Sequence, residues 1–243
     1  MEGVDYSFTR PDVFCLANQG LRFAGRYFGA GTEDKQASAA ECGALAAAGM
    51  DIVALCEGWE DDAMRGTAKG RQHAELAAAD LAAVGAPDNA PIYFAIDFDV
   101  SRSQMDTVAY YFDGVQSVIG AGRTGIYGGI TAIRYAVEFG TALWFFQTYA
   151  WSYGQWAPEN HFEQYDNHIN MCGGIIDRCR SKRKQFGQWR PGGSLETPSD
   201  EPAHLSLTES GWDLTGHFNY VAGATGYLAA VNNDVGRAVE GLA

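Results

Sequence analysis

Residues 91–99 read Pro91-Ile92-Tyr93-Phe94-Ala95-Ile96-Asp97-Phe98-Asp99, an apolar run that ends in two acids. As a strand, its period of two puts Ile92, Phe94, Ile96 and Phe98 on one face and Tyr93, Ala95, Asp97 and Asp99 on the other. One face is wholly apolar and the opposite face runs from aromatic to acidic. That is the pattern of a barrel strand, packed on helices outside and opening into a mouth inside. Both carboxyl groups are then expected at the same strand end.

Similar runs occur along the chain. Strands are expected at Gly3–Ser7, closing in Asp5, at Arg22–Phe28, Asp51–Glu57, Thr124–Tyr127, Ala142–Tyr149, His161–Tyr165 and Gly173–Asp177. Helices separate the early ones. Ser38 and Glu41 have capping-box spacing in a helix stopped by Gly49, and Thr67–Val84 is alanine-rich and ends at Gly85 and Pro87. Ser103 opens an amphipathic helix with Met105, Val108, Phe112, Val115 and Ile119 on one face, and a short helix is expected around Thr131–Phe139. The late strands have little helix between them. The pattern predicts an α/β fold, a TIM-like (β/α)8 barrel with a degenerate second half plus a C-terminal extension. A flavodoxin-like open sheet needs only five or six strands and ranks second. The basic run Arg178, Arg180, Lys182, Arg183 and Lys184 and the Gly, Pro and acid-rich stretch after it predict a barrel over 1–184, a linker over 185–205 and a C-terminal segment over 206–243. In the last, residues 222–242 carry a helical apolar stripe.

At 243 residues, with 47% hydrophobic and 13% aromatic, the chain can bury a core without disulfides. The net charge of −13 argues against a nucleic-acid backbone or an anionic membrane surface as partner, and leaves a neutral polymer open. The five cysteines, Cys15, Cys42, Cys56, Cys172 and Cys179, are widely spaced without a Cys-x-x-Cys pair. They are expected to be free, buried thiols in a reducing compartment. The start Met1-Glu2-Gly3-Val4-Asp5 has neither a basic nor an apolar signal region, and no run of about 18 apolar residues exists. Synthesis in the cytoplasm as a soluble product, with another route outward, is the expectation.

In a barrel the strand ends would bring Asp5, Glu57, Asp97, Asp99, Gln147 and Asp177 to the carboxyl-terminal mouth. Acids gathered there repel one another and lose water, so at least one pKa should rise. Glycosidic cleavage needs such a set: one acid as proton donor and one carboxylate as nucleophile, base or electrostatic partner. Tyr27, Trp59, Tyr127, Tyr149 and Trp151 could stack on sugar faces, with ordinary packing as the alternative for each. The acids have alternatives too: Asp5 as a turn cap, Glu57 paired with Arg26, Asp177 paired with the basic run. The five histidines lie apart, so neither a metal nor a cofactor is expected.

Taken together, Gly-Val-Asp-Tyr-Ser at 3–7, Gly-Arg-Tyr at 25–27, the strand ending in Glu57, residues 92–99, Gly-Ile-Tyr-Gly at 125–128, Trp144 with Gln147-Thr148-Tyr149-Ala150-Trp151, and Gln164-Tyr165 before Asp177 resemble the DUF1906 glycoside hydrolase-like family. That family looks like a relative of the GH25 (Chalaropsis-type) lysozymes. The resemblance covers about residues 3–180. It implies a TIM-like barrel directed at bacterial peptidoglycan, with the strand-four acids carried over as Asp97 and Asp99 and the first and last strands supplying Asp5 and Asp177. The lysozymes have Glu where this chain has Asp99, one methylene shorter, and Glu57 is the residue that could fill the gap. A phage endolysin or virion-associated protein is the implied setting, with the C-terminal segment as an oligomer or virion contact. A catalytically silent, glycan-binding or structural barrel is the competing reading, and a metal-dependent phosphodiesterase ranks third.

Overall fold

Alternation gives each of eight strands two unlike faces, and the sheet closes on itself so that both are buried. The computed structural model describes residues 1–193 and 195, with the extended segments 207–210, 213–216, 228–229 and 239–240. The barrel strands are β1 (Glu2–Asp5), β2 (Phe23–Tyr27), β3 (Asp51–Cys56), β4 (Ile92–Ala95), β5 (Thr124–Gly128), β6 (Trp144–Thr148), β7 (Phe162–Met171) and β8 (Gly174–Ser181), joined in chain order. Helices α1 (Val13–Asn18), α2 (Ala39–Ala47), α3 (Thr67–Ala83), α4 (Arg102–Ile119) and α5 (Ile130–Phe139) follow the first five strands. Between β6 and β8 among these residues there is no helix. Strands β1 to β7 pair in parallel, but β8 runs antiparallel to both β7 and β1. A hairpin turn at Cys172 and Gly173 can only return the chain in the opposite direction, because a parallel return needs a crossover.

Inside the barrel lie Phe23, Tyr27, Val53, Leu55, Tyr93, Phe146, Phe162 and Cys179. Outside, Val4, Ala24, Ile52, Ala54, Ile92, Phe94, Ile96 and Ile126 pack with helix residues such as Leu45, Leu81, Met105 and Phe112. The two sets are the two faces that the period of two separates, as expected for residues 91–99. Helices α3 and α4 pack so closely that a Cβ on Gly70 or Gly114 would meet the partner backbone at 1.8 and 2.0 Å.

Local signals place the helix starts with one shift. Ser101, not Ser103, caps α4, in a reciprocal capping box with Gln104. Ser38 caps α2 as expected, but the Glu41 carboxylate turns to Arg26 instead, at 2.7 Å. The Arg26 guanidinium is wholly buried, 4.2 Å over the Tyr6 ring, and a buried charge needs a counter-ion. The pairing of Arg26 with Glu57 considered from the sequence is therefore not made.

The basic run lies within the barrel unit, and the stretch expected as a linker from 185 begins inside that unit too. The run continues β8, with Cys179 inward and Arg178 and Arg180 outward. Beyond it, Phe186 packs in the barrel interior against Phe23 and Phe162, with ring centroids 4.8 and 5.8 Å apart. Trp189 pairs its backbone with Ile52. One compact unit thus spans Met1–Leu195, eleven residues past the expected boundary at 184. The unit from Glu196 onward contains two antiparallel pairs, Leu207–Ser210 with Asp213–Gly216 and Leu228–Ala229 with Val239–Glu240. The remainder of the stretch read as a helix over 222–242 lies outside the described residues.

The five cysteines are not all free. Cys15 on α1 is bonded to Cys172 in the β7–β8 turn across a separation of 157 residues, while Cys42, Cys56 and Cys179 are free and buried. The same junction carries hydrogen bonds from the Thr9 hydroxyl to Ile175 O (2.7 Å) and from Asp12 N to Cys172 O (2.8 Å). Spacing in sequence hides the pair, since barrel closure alone brings the first and last loops together. Disulfides persist in oxidising compartments, which removes the ground for a reducing one. Cys15→Ser is expected to lower the unfolding free energy by about 2–5 kcal/mol. Denaturant titration checks this, and wild type under reducing conditions should match the variant.

Candidate functional site

Each strand contributes one inward side chain at the mouth: Asp5, Tyr27, Glu57 just past β3, Asp97 two residues past β4, Tyr127, Thr148, Gln164 and Asp177. Register fixes the level, because Asp5 lies opposite Asp177, Ala95 opposite Tyr127, and Thr148 opposite Gln164. Asp177 comes from the middle of β8, and only the reversed direction of that strand brings it here.

Gln164 ties the floor together. Its Nε2 donates to Asp5 Oδ2 (2.9 Å) and Asp177 Oδ2 (3.2 Å), and its Oε1 accepts from the hydroxyls of Tyr127 (3.2 Å) and Thr148 (2.7 Å). Cys179 Sγ also donates to Asp5 Oδ2 (3.1 Å), and the Tyr27 hydroxyl to Asp5 Oδ1 (3.4 Å). Burial, with the Asp177 charge opposite, pushes the Asp5 carboxyl up to about 7 against the pull of its Gln164 and Cys179 donors. Burial raises Asp177 too, opposed by the His168 N–H at 2.8 Å. His168 has left-handed backbone, φ 57°, in a stretch of β7 whose register with β8 shifts between Asp166 and Ile169. The irregularity aims this N–H at the carboxylate. Neither the turn-capping role for Asp5 nor the pairing of Asp177 with the basic run is found.

On the other side of the mouth Glu57 is ion-paired with Lys35, whose Nζ stands 4.4 Å from the centre of the Tyr27 ring. Asp97 is half-buried, and burial together with the Glu57 charge pushes it up to about 6, against the opposing charge of Lys35. Asp99 does not join the ring. Strand β4 ends at Ala95 and the chain bends at Phe98, so alternation stops; Asp99 lies exposed and accepts from the Tyr153 hydroxyl.

Of the expected aromatic contacts, Tyr27 and Tyr127 line the mouth. Trp59, on the loop after β3, is 71% exposed, and Tyr149, just past β6, is exposed as well. Trp151 is half-buried, packed on Gly129. Gln147, expected at the mouth, faces away from the interior and is wholly buried, because Phe146 takes the inward position. Its amide donates to Ser152 Oγ and Gln155 O (both 2.8 Å) and accepts from Ala157 N and Asn160 Nδ2, so it shapes the loop after β6 and has no capacity left for a ligand. Sequence reasoning missed Lys35, Thr148 and the bridging role of Gln164, as well as Phe8, 60% exposed on the loop after β1. Strand alternation could have found Thr148 and Gln164. Among the described residues no group of three or more His, Cys, Asp or Glu is gathered as a metal site.

The raised Asp5 value fixes the sign of a pH effect. Between its ordinary value of 3.8 and about 7 the folded chain keeps a proton that the unfolded chain has released, so stability falls as pH rises through that window. Asp5→Asn is expected to stabilise the fold at about pH 8 by on the order of 3 kcal/mol and to change little below about pH 4. Denaturant unfolding at both pH values tests this.

Comparison with known proteins bears on the same barrel. Over 152 residues the chain is 34% identical to the Mycobacterium tuberculosis protein Rv2525c, named as a candidate peptidoglycan hydrolase; the match takes in 60% of this chain and 63% of that relative. A crystal structure of the Tat-secreted protein Rv2525c from M. tuberculosis, in complex with L-tartrate, matches with TM-score 0.73 and 28% identity, over 77% of this chain and 98% of that one. A family 25 glycosyl hydrolase from Bacillus anthracis shares the fold, with TM-score 0.52 and 15% identity over 76% of this chain and 90% of that one. The sequence profile of one family matches residues 15–180, which hold all but the first strand of the barrel. The chain belongs to the Rv2525c-like, glycoside hydrolase-like domain family.

Proposed function

We propose that this barrel hydrolyses a glycosidic bond in bacterial cell-wall peptidoglycan. The observation that carries the reading is the gathering of Asp5, Glu57, Asp97 and Asp177 from four strands at one mouth, with Asp97 pushed up to about 6. At slightly acidic pH Asp97 is protonated and half-buried, which suits it to donate to the leaving glycosidic oxygen. Glu57, the acid beside it, offers the negative charge that an oxocarbenium-like transition state needs, as nucleophile, as base toward water or as electrostatic partner. The resemblance implied Asp99, or Glu57 in its place, as the proton donor; in this reading that part falls to Asp97. Asp5, Gln164 and Asp177 form a rigid floor that fixes where the sugar can lie. Family membership and the relative named as a candidate peptidoglycan hydrolase support the choice of substrate.

The setting we propose is the outer side of the cell membrane. The Cys15–Cys172 bond suits an oxidising environment, and Rv2525c is Tat-secreted. Release by phage lysis or carriage on a virion, with residues 206–243 as the assembly contact, belongs to the same proposal. The net charge of −13 argues against nucleic acid or an anionic membrane as the main partner.

A second reading, a barrel that binds glycan without cleaving it, is favoured by one observation: Asp99 is exposed and already engaged by Tyr153. Turbidity clearing of purified sacculi by the full chain separates the two. Wild type is expected to clear them, with a rate that falls as pH rises through about 6. Asp97→Asn is expected to lose roughly 10²–10⁴-fold, and Asp99→Asn to remain within a few-fold of wild type. Sacculi left intact by wild type, or cleared equally by Asp97→Asn, would sink the hydrolase reading.

A further inference from the structure

Lys35 has no place in the sequence argument, yet it is the one cation bonded to a carboxylate of the mouth among the described residues. It is only 8% exposed. Its ammonium touches the Glu57 carboxylate and stands over the rings of Tyr27, at 4.4 Å, and Phe8, at 5.8 Å. The loop that delivers it is built for the purpose. Arg10 donates to Asp34 O (2.8 Å) and Gln36 O (3.0 Å), buried Arg26 to Lys35 O (3.4 Å), and the Gln36 amide to Gly29 O (2.9 Å). Gly31, at φ +91°, lets the loop pass against Glu57 O, which a Cβ there would meet at 2.9 Å. An ammonium held this firmly is not a solvated surface charge.

We propose that Lys35 is a positioning residue that decides which carboxyl group at the mouth carries the proton: it holds Glu57 as the anion and so leaves the proton to Asp97. Asp97 is influenced by Glu57, Lys35, Glu60 and Asp177, and Glu57 also acts on Asp5, Tyr27 and Tyr127. Two neighbouring carboxyl groups share a proton unless something distinguishes them. Here the distinction is a single ion pair, since to accept the proton Glu57 would have to surrender its contact with Lys35. The cation also sits on the Tyr27 ring, where the aromatic face stabilises it. The use of this arrangement rests on the hydrolase reading above, but its measurement does not.

The test follows side-chain carboxyl ¹³C signals of the labelled full chain across the step near pH 6, with Asp97→Asn and Glu57→Gln for assignment. In wild type the Asp97 signal is expected to move through that step while Glu57 keeps its carboxylate shift. In Lys35→Met the Glu57 signal is expected to move with it, and Lys35→Arg should restore the wild-type pattern. If Lys35→Met does not fold, Lys35→Gln carries the same expectation. Lys35→Arg is the control, since it keeps the charge and a merely structural disturbance would persist in it. A Glu57 signal that stays still in the Met or Gln variant, or an Arg variant that behaves like Met, overturns the proposal. Wild type that clears no sacculi but shows the Lys35-dependent exchange overturns the hydrolase reading alone.

Discussion

Closure of the sheet between β8 and β1 is the constraint on which the rest of this molecule depends. Until those strands pair, Asp5 and Asp177 belong to opposite ends of the chain; once they pair, the two carboxyl groups face each other across a ladder. Burying them side by side opposes folding, and the structure offsets that cost locally. Gln164 donates to both, Cys179 supports Asp5, and an irregular β7 points the His168 N–H at Asp177. The same closure is secured from outside by the Cys15–Cys172 bond and from within by Phe186. A disulfide at that place joins the helix that follows β1 to the turn that precedes β8, the two strands that carry the opposed acids.

The mouth is divided in its electrostatics. On the β1–β8 side the acids lean on neutral donors, so their charge is opposed by burial and by each other. On the β3–β4 side a cation is present, and it contacts only one of the two acids. Such asymmetry is what general acid catalysis needs, because two carboxyl groups in equal surroundings share a proton without assigning it to either. The rim differs again: Phe8, Trp59, Tyr149 and Tyr153 are exposed there and leave broad apolar faces in water around an acidic centre. Large flat rings beside polar groups suit sugars, which present apolar faces edged with hydroxyls.

Helix count and strand direction are linked in the second half of the barrel. Loss of the crossover after β7 forces the hairpin, and the hairpin reverses β8. Reversal moves Asp177 from an expected strand end to mid-strand, yet leaves it at the mouth, because alternation still turns it inward. The basic run that follows is accommodated by the same rule, with its arginines on the outer face, where Arg180 meets Glu163 at 2.8 Å.

What the residues alone determined is whatever rests on short-range periodicity. The two faces of 91–99, the inward placement of Asp5, Glu57, Asp97 and Asp177, and the stripe of α4 all follow from repeats of two or of three and four residues, and backbone geometry imposes those repeats wherever the element persists. Periodicity fails where the element stops, as at Asp99, which lies past a bend; within β6 it holds, and alternation with Phe146 assigns Gln147 to the outward face. The tertiary structure decided the rest. Lys35 reaches the mouth on a loop without periodicity, Phe186 enters the interior from a stretch whose composition reads as linker, and Cys15 meets Cys172 only because the sheet closes. Each is a contact between segments distant in sequence, set by the path of the backbone through space, and no local preference encodes that path.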